Sequence, residues 1–277
     1  MKSFLFIGGD KRRKFAVEYI KAAGYKVTVA EDCADFENMA READYIVLPL
    51  PVSRDGVNVN SPLSMAPVSL KRVLRAVTDG KTVFAGMPDE EFADKLRCKG
   101  AKLYDYYQNE ALTVFNSVST AEGVIHEIIG STEINIQGAK MALFGYGKAA
   151  SAIAKRLVAL GAEVWVFARS ERDRAAAESD GCKAVHLNRK SECNVGFDVV
   201  VNTVPSLVVT ADFIEKLPAS ALIIEIASAP YGVDFSAAEA IGIRTVKAPS
   251  LPGRYAPKSA GEAIARTILN AIKEAEK

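Results

Sequence analysis

At 277 residues and 49% hydrophobic, the chain is long enough for two cores, since single cores stop growing at about 250 to 300 residues. Its 35 Lys and Arg are balanced by 34 Asp and Glu, so no general attraction to nucleic acid or an anionic membrane is expected and a small-molecule partner is favoured. The cysteines, Cys33, Cys98, Cys182 and Cys193, form no Cys-x-x-Cys pair and no cluster with His126 or His186, which argues against a metal and for reduced, buried thiols.

The opening run Phe4-Leu5-Phe6-Ile7 is broken by Gly8-Gly9-Asp10, too soon for a signal peptide. No stretch reaches the ~20 apolar residues of a membrane span, so a cytoplasmic protein with no membrane partner is expected. The first half then alternates strands and helices: strands at 4–7, 26–30, 45–50, 82–85 and 102–106, with helices at 12–23, 69–77 and 90–98. That rhythm predicts a parallel sheet covered on both faces. Residues 51–67, rich in Ser, Asn and Pro, interrupt it as a long functional loop.

A helix at 120–129 is predicted between the halves, opened by the capping-box pattern Ser119-Thr120-Ala121-Glu122. The second half repeats the scheme with strands at 141–144, 163–168, 184–187, 198–202, 221–226 and 245–247, a count that suits the doubly wound order. A last helix at 259–276 opens with Ser259-Ala260-Gly261-Glu262, a second capping-box pattern. The reading is α/β, with two doubly wound parallel-sheet domains, the second a Rossmann fold. Residues 1–118 form a substrate-side domain, 119–256 the nucleotide domain with linking helix 119–130, and 257–277 a helix returning toward the first. The active site is expected in the cleft between them.

After the strand at 141–144 comes Gly145-Tyr146-Gly147-Lys148-Ala149-Ala150, a Gly-x-Gly-x-x-Ala turn. Gly145 permits the tight turn, Gly147 lets backbone approach a pyrophosphate, and Ala150 keeps helix close to strand. The helix at 148–160 aims its first amides at that anion. At the end of the next strand an NAD enzyme places Asp or Glu, whereas this chain has Ala168-Arg169-Ser170 and then Arg172. A guanidinium and a hydroxyl there suit a 2′-phosphate, so NADP is the expected cofactor. Asn202-Thr203-Val204-Pro205 after the fourth strand and Ser228 after the fifth are placed toward the nicotinamide half. Lys148 either neutralises phosphate or flanks the turn.

Further polar or restrained segments fall at strand ends: 50–54, 86–88, 116–122 and 249–261. A likeness is carried by Ser119-Thr120-Ala121-Glu122-Gly123, by Gly145-Tyr146-Gly147, by Ile224-Glu225-Ile226-Ala227-Ser228 with Tyr231-Gly232-Val233-Asp234-Phe235, and by Leu251-Pro252-Gly253 through Ala256-Pro257-Lys258-Ser259-Ala260-Gly261. Over nearly its whole length the chain resembles the A-subunit family of dipicolinate synthase. The resemblance implies an NADP-dependent oxidoreductase of endospore formation. It would act with a separate flavoprotein-like B subunit and convert dihydrodipicolinate, or its hydrated precursor, from the lysine pathway into pyridine-2,6-dicarboxylate.

A dianionic substrate requires cations and free amides, and Arg54, Arg254, Lys258 and the helix start at Ser259 and Ala260 are candidates, with Ser119 and Thr120 beside them. Glu122 and Tyr231 are both candidates for the proton acceptor. Two rival readings stand. The domain order also resembles the D-2-hydroxyacid dehydrogenases, but those use a catalytic histidine, and neither His126 nor His186 falls where that base is expected. The chain could instead be a non-catalytic NADP-binding subunit. No heptad marks an oligomer, and a homo-oligomer stays open.

Overall fold

The computed structural model describes residues 1–276; Lys277, the last residue of the expected 257–277 segment, lies outside the described residues. Strands and helices alternate along the chain: β1 (Ser3–Ile7), α1 (Arg12–Ala22), β2 (Lys26–Ala30), α2 (Phe36–Glu42), β3 (Tyr45–Val47), α3 (Leu70–Ala76), β4 (Thr82–Ala85), α4 (Glu90–Cys98), β5 (Lys102–Asp105) and α5 (Glu110–Ser131). There follow β6 (Lys140–Phe144), α6 (Lys148–Ala159), β7 (Glu163–Ala168), α7 (Glu171–Ser179), β8 (Lys183–His186), β9 (Val199–Asn202), α8 (Ala211–Ile214), β10 (Leu222–Glu225), α9 (Phe235–Ala240), β11 (Arg244–Lys247), α10 (Leu251–Tyr255) and α11 (Pro257–Ala275). Two compact units result. Unit 1 joins residues 1–115 to the segment from Ala256 onward, and unit 2 is Asn116–Tyr255.

Unit 1 is a five-stranded parallel sheet in the order β2-β1-β3-β4-β5. Its strand β1 is apolar at Phe4, Leu5, Phe6 and Ile7, all buried, because helices cover both faces of a parallel sheet. Alternate residues take alternate faces. Leu5 and Ile7 pack with Phe36, Val73, Phe92 and Leu96 of α2, α3 and α4, while Phe4 and Phe6 pack with Ile20 of α1 and Ile264, Ile268 and Ile272 of α11. α1 and α11 lie close together: a Cβ at Gly261 would stand 2.3 Å from the Arg12 carbonyl oxygen and 3.2 Å from the Ala16 nitrogen.

Unit 2 is a six-stranded parallel sheet in the order β11-β10-β9-β6-β7-β8, the doubly wound Rossmann arrangement with its crossover between β6 and β9. One face carries Met141, Leu143, Val166, Val201 and Ile224 against Val124 and Ile128 of α5 and Ile153 and Leu157 of α6. The other carries an aromatic cluster, with Phe144 and Phe167 stacked at 4.8 Å and Phe213 edge-on to Phe144 at 5.1 Å. Among the described residues no helix is long and apolar enough to cross a membrane.

Four expectations need correction. The strand expected at 45–50 stops at Val47, since Pro49 and Pro51 cannot donate to a ladder. The linking helix does not begin at 119 or 120: α5 starts at Glu110, where Asn109 Oδ1 accepts from the Leu112 nitrogen at 3.0 Å. Ser119 and Glu122 therefore lie in mid-helix, where backbone donors are already used, and form no capping box. Likewise α11 begins at Pro257, a residue suited to the first helical position, so Ser259 is already inside the first turn and Ser259 to Glu262 is no cap. Two of the thiols expected inside, Cys33 and Cys98, are exposed; Cys98 is two residues beyond buried Leu96, on the outer side of α4.

Gly261→Ala tests the approach of α11 to α1. Alanine gains about 1 kcal/mol of helix propensity, but its methyl meets a backbone oxygen that cannot rotate aside, and overpacking costs about 1 to 3 kcal/mol. Urea denaturation should show a net loss; an unchanged or raised midpoint rejects the close approach.

Candidate functional site

The turn after β6 is built for close backbone packing. Gly145 has φ +91°, its nitrogen donates to the Phe167 carbonyl at 2.9 Å, and a Cβ there would stand 2.6 Å from Thr203 Oγ1 and 2.9 Å from Val204 Cγ2. Gly147 differs: beyond its chain neighbours, a Cβ on it would meet nothing within 4 Å among the described residues, so its bareness serves the open side. The first backbone bond of α6 runs from the Ser151 nitrogen to the Gly147 carbonyl at 2.9 Å. Amides ahead of it have no acceptor within the helix, the arrangement that receives a phosphate. Ala150 is fully buried against the sheet, as the third small residue of such a turn must be.

Gly145, Gly147 and Ala150 wall a groove of about 380 Å³ lined also by Tyr146, Ala149, Ala168, Arg169, Ser170, Asp173, Thr203, Val204 and Pro205. The residues present therefore fit a dinucleotide. Tyr146 borders the groove but is itself buried, its hydroxyl donating to Asp180 Oδ2 at 2.6 Å; burial and then this bond push the hydroxyl above its ordinary range. Lys148, Arg172 and Ser228, also expected at the cofactor, are exposed and do not line the groove. Arg174 fixes the end of β7 by donating to the carbonyls of Ala168 at 3.1 Å and Arg169 at 2.6 Å.

Asn202, expected to touch the cofactor, is instead fully buried. Its Nδ2 donates to both oxygens of Glu225, each at 2.9 Å, and to the Val204 carbonyl at 2.9 Å, and its Oδ1 accepts from the Val204 nitrogen at 3.1 Å. Glu225, itself 1% exposed, also accepts from the Ala227 nitrogen at 2.8 Å and the Gly232 nitrogen at 2.7 Å. A carboxylate can accept on both oxygens at once. Glu225 thus pins the loops that follow β9 and β10, and through Val204 it sets the wall opposite Gly145. Gly232 is confined here, because a Cβ on it would meet the Val204 oxygen at 2.3 Å. Sequence reading missed Glu225 as a determinant of the groove; the signal was an acidic residue closing the apolar run Leu222-Ile223-Ile224.

The substrate and proton candidates divide between the units. In unit 2, Ser119 is buried, Thr120 donates back to the Asn116 carbonyl at 2.8 Å, and Glu122 is exposed. Asn116 Oδ1 is buried without a partner among the described residues. Arg254 Nη2 pairs with Glu127 Oε1 at 3.1 Å, and Tyr255 donates to the same oxygen at 2.7 Å. That bond, with burial, pushes the Tyr255 hydroxyl up. Tyr231 is half-buried at φ +68°, with Lys247 Nζ 5.0 Å above its ring. In unit 1, Lys258 and Ser259 are exposed in the first turn of α11 and Ala260 is buried. Arg54 is exposed in the loop after β3. Nearby, burial would raise the Asp10 carboxyl, but hydrogen bonds and charge from Arg12, aided by Arg54, hold it below the usual range.

Glu225→Gln should destabilise the chain by about 2 to 4 kcal/mol in urea, because an amide must point its NH₂ at the Ala227 or Gly232 nitrogen and strand a buried donor. Wild-type stability in this variant would show that the network does not need an acceptor on both oxygens.

Residues 3–107 match the family model that describes the N-terminal domain of the dipicolinate synthase A subunit. Residues 118–241 match the model described as D-isomer specific 2-hydroxyacid dehydrogenase, NAD binding domain, so unit 2 is a nicotinamide-dinucleotide-binding domain of dehydrogenase type. The chain is 31% identical over 248 residues to the dipicolinate synthase A subunit of Bacillus subtilis, covering 89% of this chain and 84% of that one. The crystal structure of the dipicolinate synthase A subunit from Bacillus halodurans is similar at TM-score 0.87 and 27% identity, covering 98% of this chain and 97% of that one. The crystal structure of the Bacillus subtilis protein is similar at TM-score 0.85 and 27% identity, covering 100% and 98%. Like these relatives in sequence and in both of its sheets, the chain belongs to the A-subunit family of dipicolinate synthase.

Proposed function

We propose that this chain is the A subunit of a dipicolinate synthase, oxidising dihydrodipicolinate or its hydrated precursor to pyridine-2,6-dicarboxylate with NADP, alongside a flavoprotein-like B subunit. The observation that carries the cofactor assignment is Arg169 on the groove wall at the end of β7, with Ser170 beside it, where a carboxylate would receive the ribose of NAD. Gly145, Gly147 and Ala149 hold the pyrophosphate in this reading, and Thr203, Val204 and Pro205 the nicotinamide end.

Bound NADP supplies the hydride acceptor at C4 of its nicotinamide. Aromatisation of the ring supplies much of the driving force, so the chain's own task is chiefly to hold and orient the substrate. Arg254 suits one carboxylate: Glu127 and Tyr255 hold one edge of its guanidinium, and 46% of its side chain remains exposed. Arg54 and Lys258 are the further cations, with Ser259 and Ala260 at the start of α11. Glu122 and Tyr231 remain the candidate proton acceptors. Without a capping duty, the exposed carboxylate of Glu122 is free for that role. A hydroxyacid dehydrogenase would need a histidine base, but the His126 ring packs against Tyr255 at 4.2 Å, tilted by 32°, and His186 Nδ1 accepts from the Asn188 nitrogen at 3.2 Å.

Calorimetric titration tests the cofactor. The chain should bind NADP more tightly than NAD, and Arg169→Ala should erase about ten- to a hundredfold of that preference, since a charged hydrogen bond is worth about 1.5 to 3 kcal/mol. Equal affinities in the unmutated chain reject NADP. Turnover is tested by NADPH formation on freshly generated dihydrodipicolinate, with and without the B subunit; failure in both arms leaves only a binding role.

A further inference from the structure

The groove of unit 2 carries charges of both signs at the end of β7. Arg169 and Ser170 line it, and so does Asp173 in the first turn of α7. Ser170-Glu171-Arg172-Asp173 has capping-box spacing, in which the carboxylate reaches back to the amide of the cap. Only half of the box forms. Ser170 Oγ accepts from the Asp173 nitrogen at 3.4 Å, whereas the Asp173 carboxylate makes no hydrogen bond or ion pair among the described residues and stands half-buried in the groove wall.

A carboxylate that is partly desolvated and unpaired by protein interacts with whatever the groove holds. A ribose hydroxyl donates to it, as in Rossmann domains selective for NAD. A 2′-phosphate is repelled by it, and the pair of like charges weakens binding. Arg169 has the opposite preference. We propose that Asp173 is a specificity-determining residue: it accepts a ribose hydroxyl of the unphosphorylated dinucleotide, opposes the 2′-phosphate, and so holds the preference for NADP below what Arg169 alone would set. This inference rests on the reading of unit 2 as the cofactor site and on Arg169 as its phosphate partner.

The test is direct binding of NADP and NAD to the full chain by calorimetry, for the unmutated protein, Asp173→Ala, Asp173→Asn and Arg169→Ala. Asp173→Ala should weaken NAD and tighten NADP, moving the affinity ratio about three- to tenfold or more toward NADP, the range of a partly screened charge interaction. Asp173→Asn, which keeps an acceptor without the charge, should tighten NADP and leave NAD nearly unchanged. The NADP gain should shrink as salt is raised. A ratio that stays constant in both variants, or moves toward NAD, overturns the proposal and leaves Asp173 as a helix-end residue. The readings fail separately. Indifference of NADP to Arg169→Ala removes the phosphate partner while the Asp173 variants still report on the ribose hydroxyl. No binding of either nucleotide to the unmutated chain overturns both.

Discussion

The groove depends on one buried carboxylate. Glu225 receives donors from the backbone two residues on, from the glycine seven residues on, and from the Asn202 side chain of the neighbouring strand. Burying a charge is costly unless hydrogen bonds replace the lost water, and here both oxygens are served by fixed amides. The arrangement propagates: Asn202 holds Val204 at both its nitrogen and its carbonyl, and Thr203 and Val204 close against the bare face of Gly145. The turn that faces the dinucleotide is therefore shaped from two strands away.

Electrostatics divide the remaining polar groups by how much of each is spent on the protein itself. Arg174 is consumed by two carbonyls and Tyr146 by Asp180, so each stiffens the frame. Arg169, Ser170 and Asp173 are the groups on that rim that face the groove. Arg254 is intermediate, with one edge tied to Glu127 and the rest exposed. A guanidinium held this way loses less freedom on meeting an anion than one on a loose side chain, which lowers the cost of binding.

Much of the fold was legible because its signals are local. The apolar runs of β1, β6 and β9, short and alternating with helical patterns, read as doubly covered strands, and Gly145-Tyr146-Gly147 between β6 and α6 announced the nucleotide turn. What failed failed for identifiable reasons. Asn109 carried a real cap signal, but Ser119-Thr120-Ala121-Glu122 offered a second one ten residues later, and the interior of α5 is indistinguishable from its start by pattern alone. Asn202 looked like a cofactor residue because it ends a strand beside the crossover; its true partner lies 23 residues away on β10, a pairing no local window contains. Asp173 was eclipsed by the louder Arg169, although Ser170-Glu171-Arg172-Asp173 was there to be read.

The placement of α11 has a consequence for biosynthesis. Unit 2 is one uninterrupted stretch of polypeptide, Asn116–Tyr255, whereas unit 1 completes one side of its sheet with Ile264, Ile268 and Ile272. As the nascent chain leaves the ribosome, the Rossmann core has every strand it needs before the covering helix of the first sheet has been translated. Until then Phe4 and Phe6 are covered only in part, by Ile20 and its neighbours on α1, and the apolar surface left open is prone to aggregation. Contacts so distant in sequence close slowly. Vectorial synthesis thus makes the first-made sheet the last to be finished.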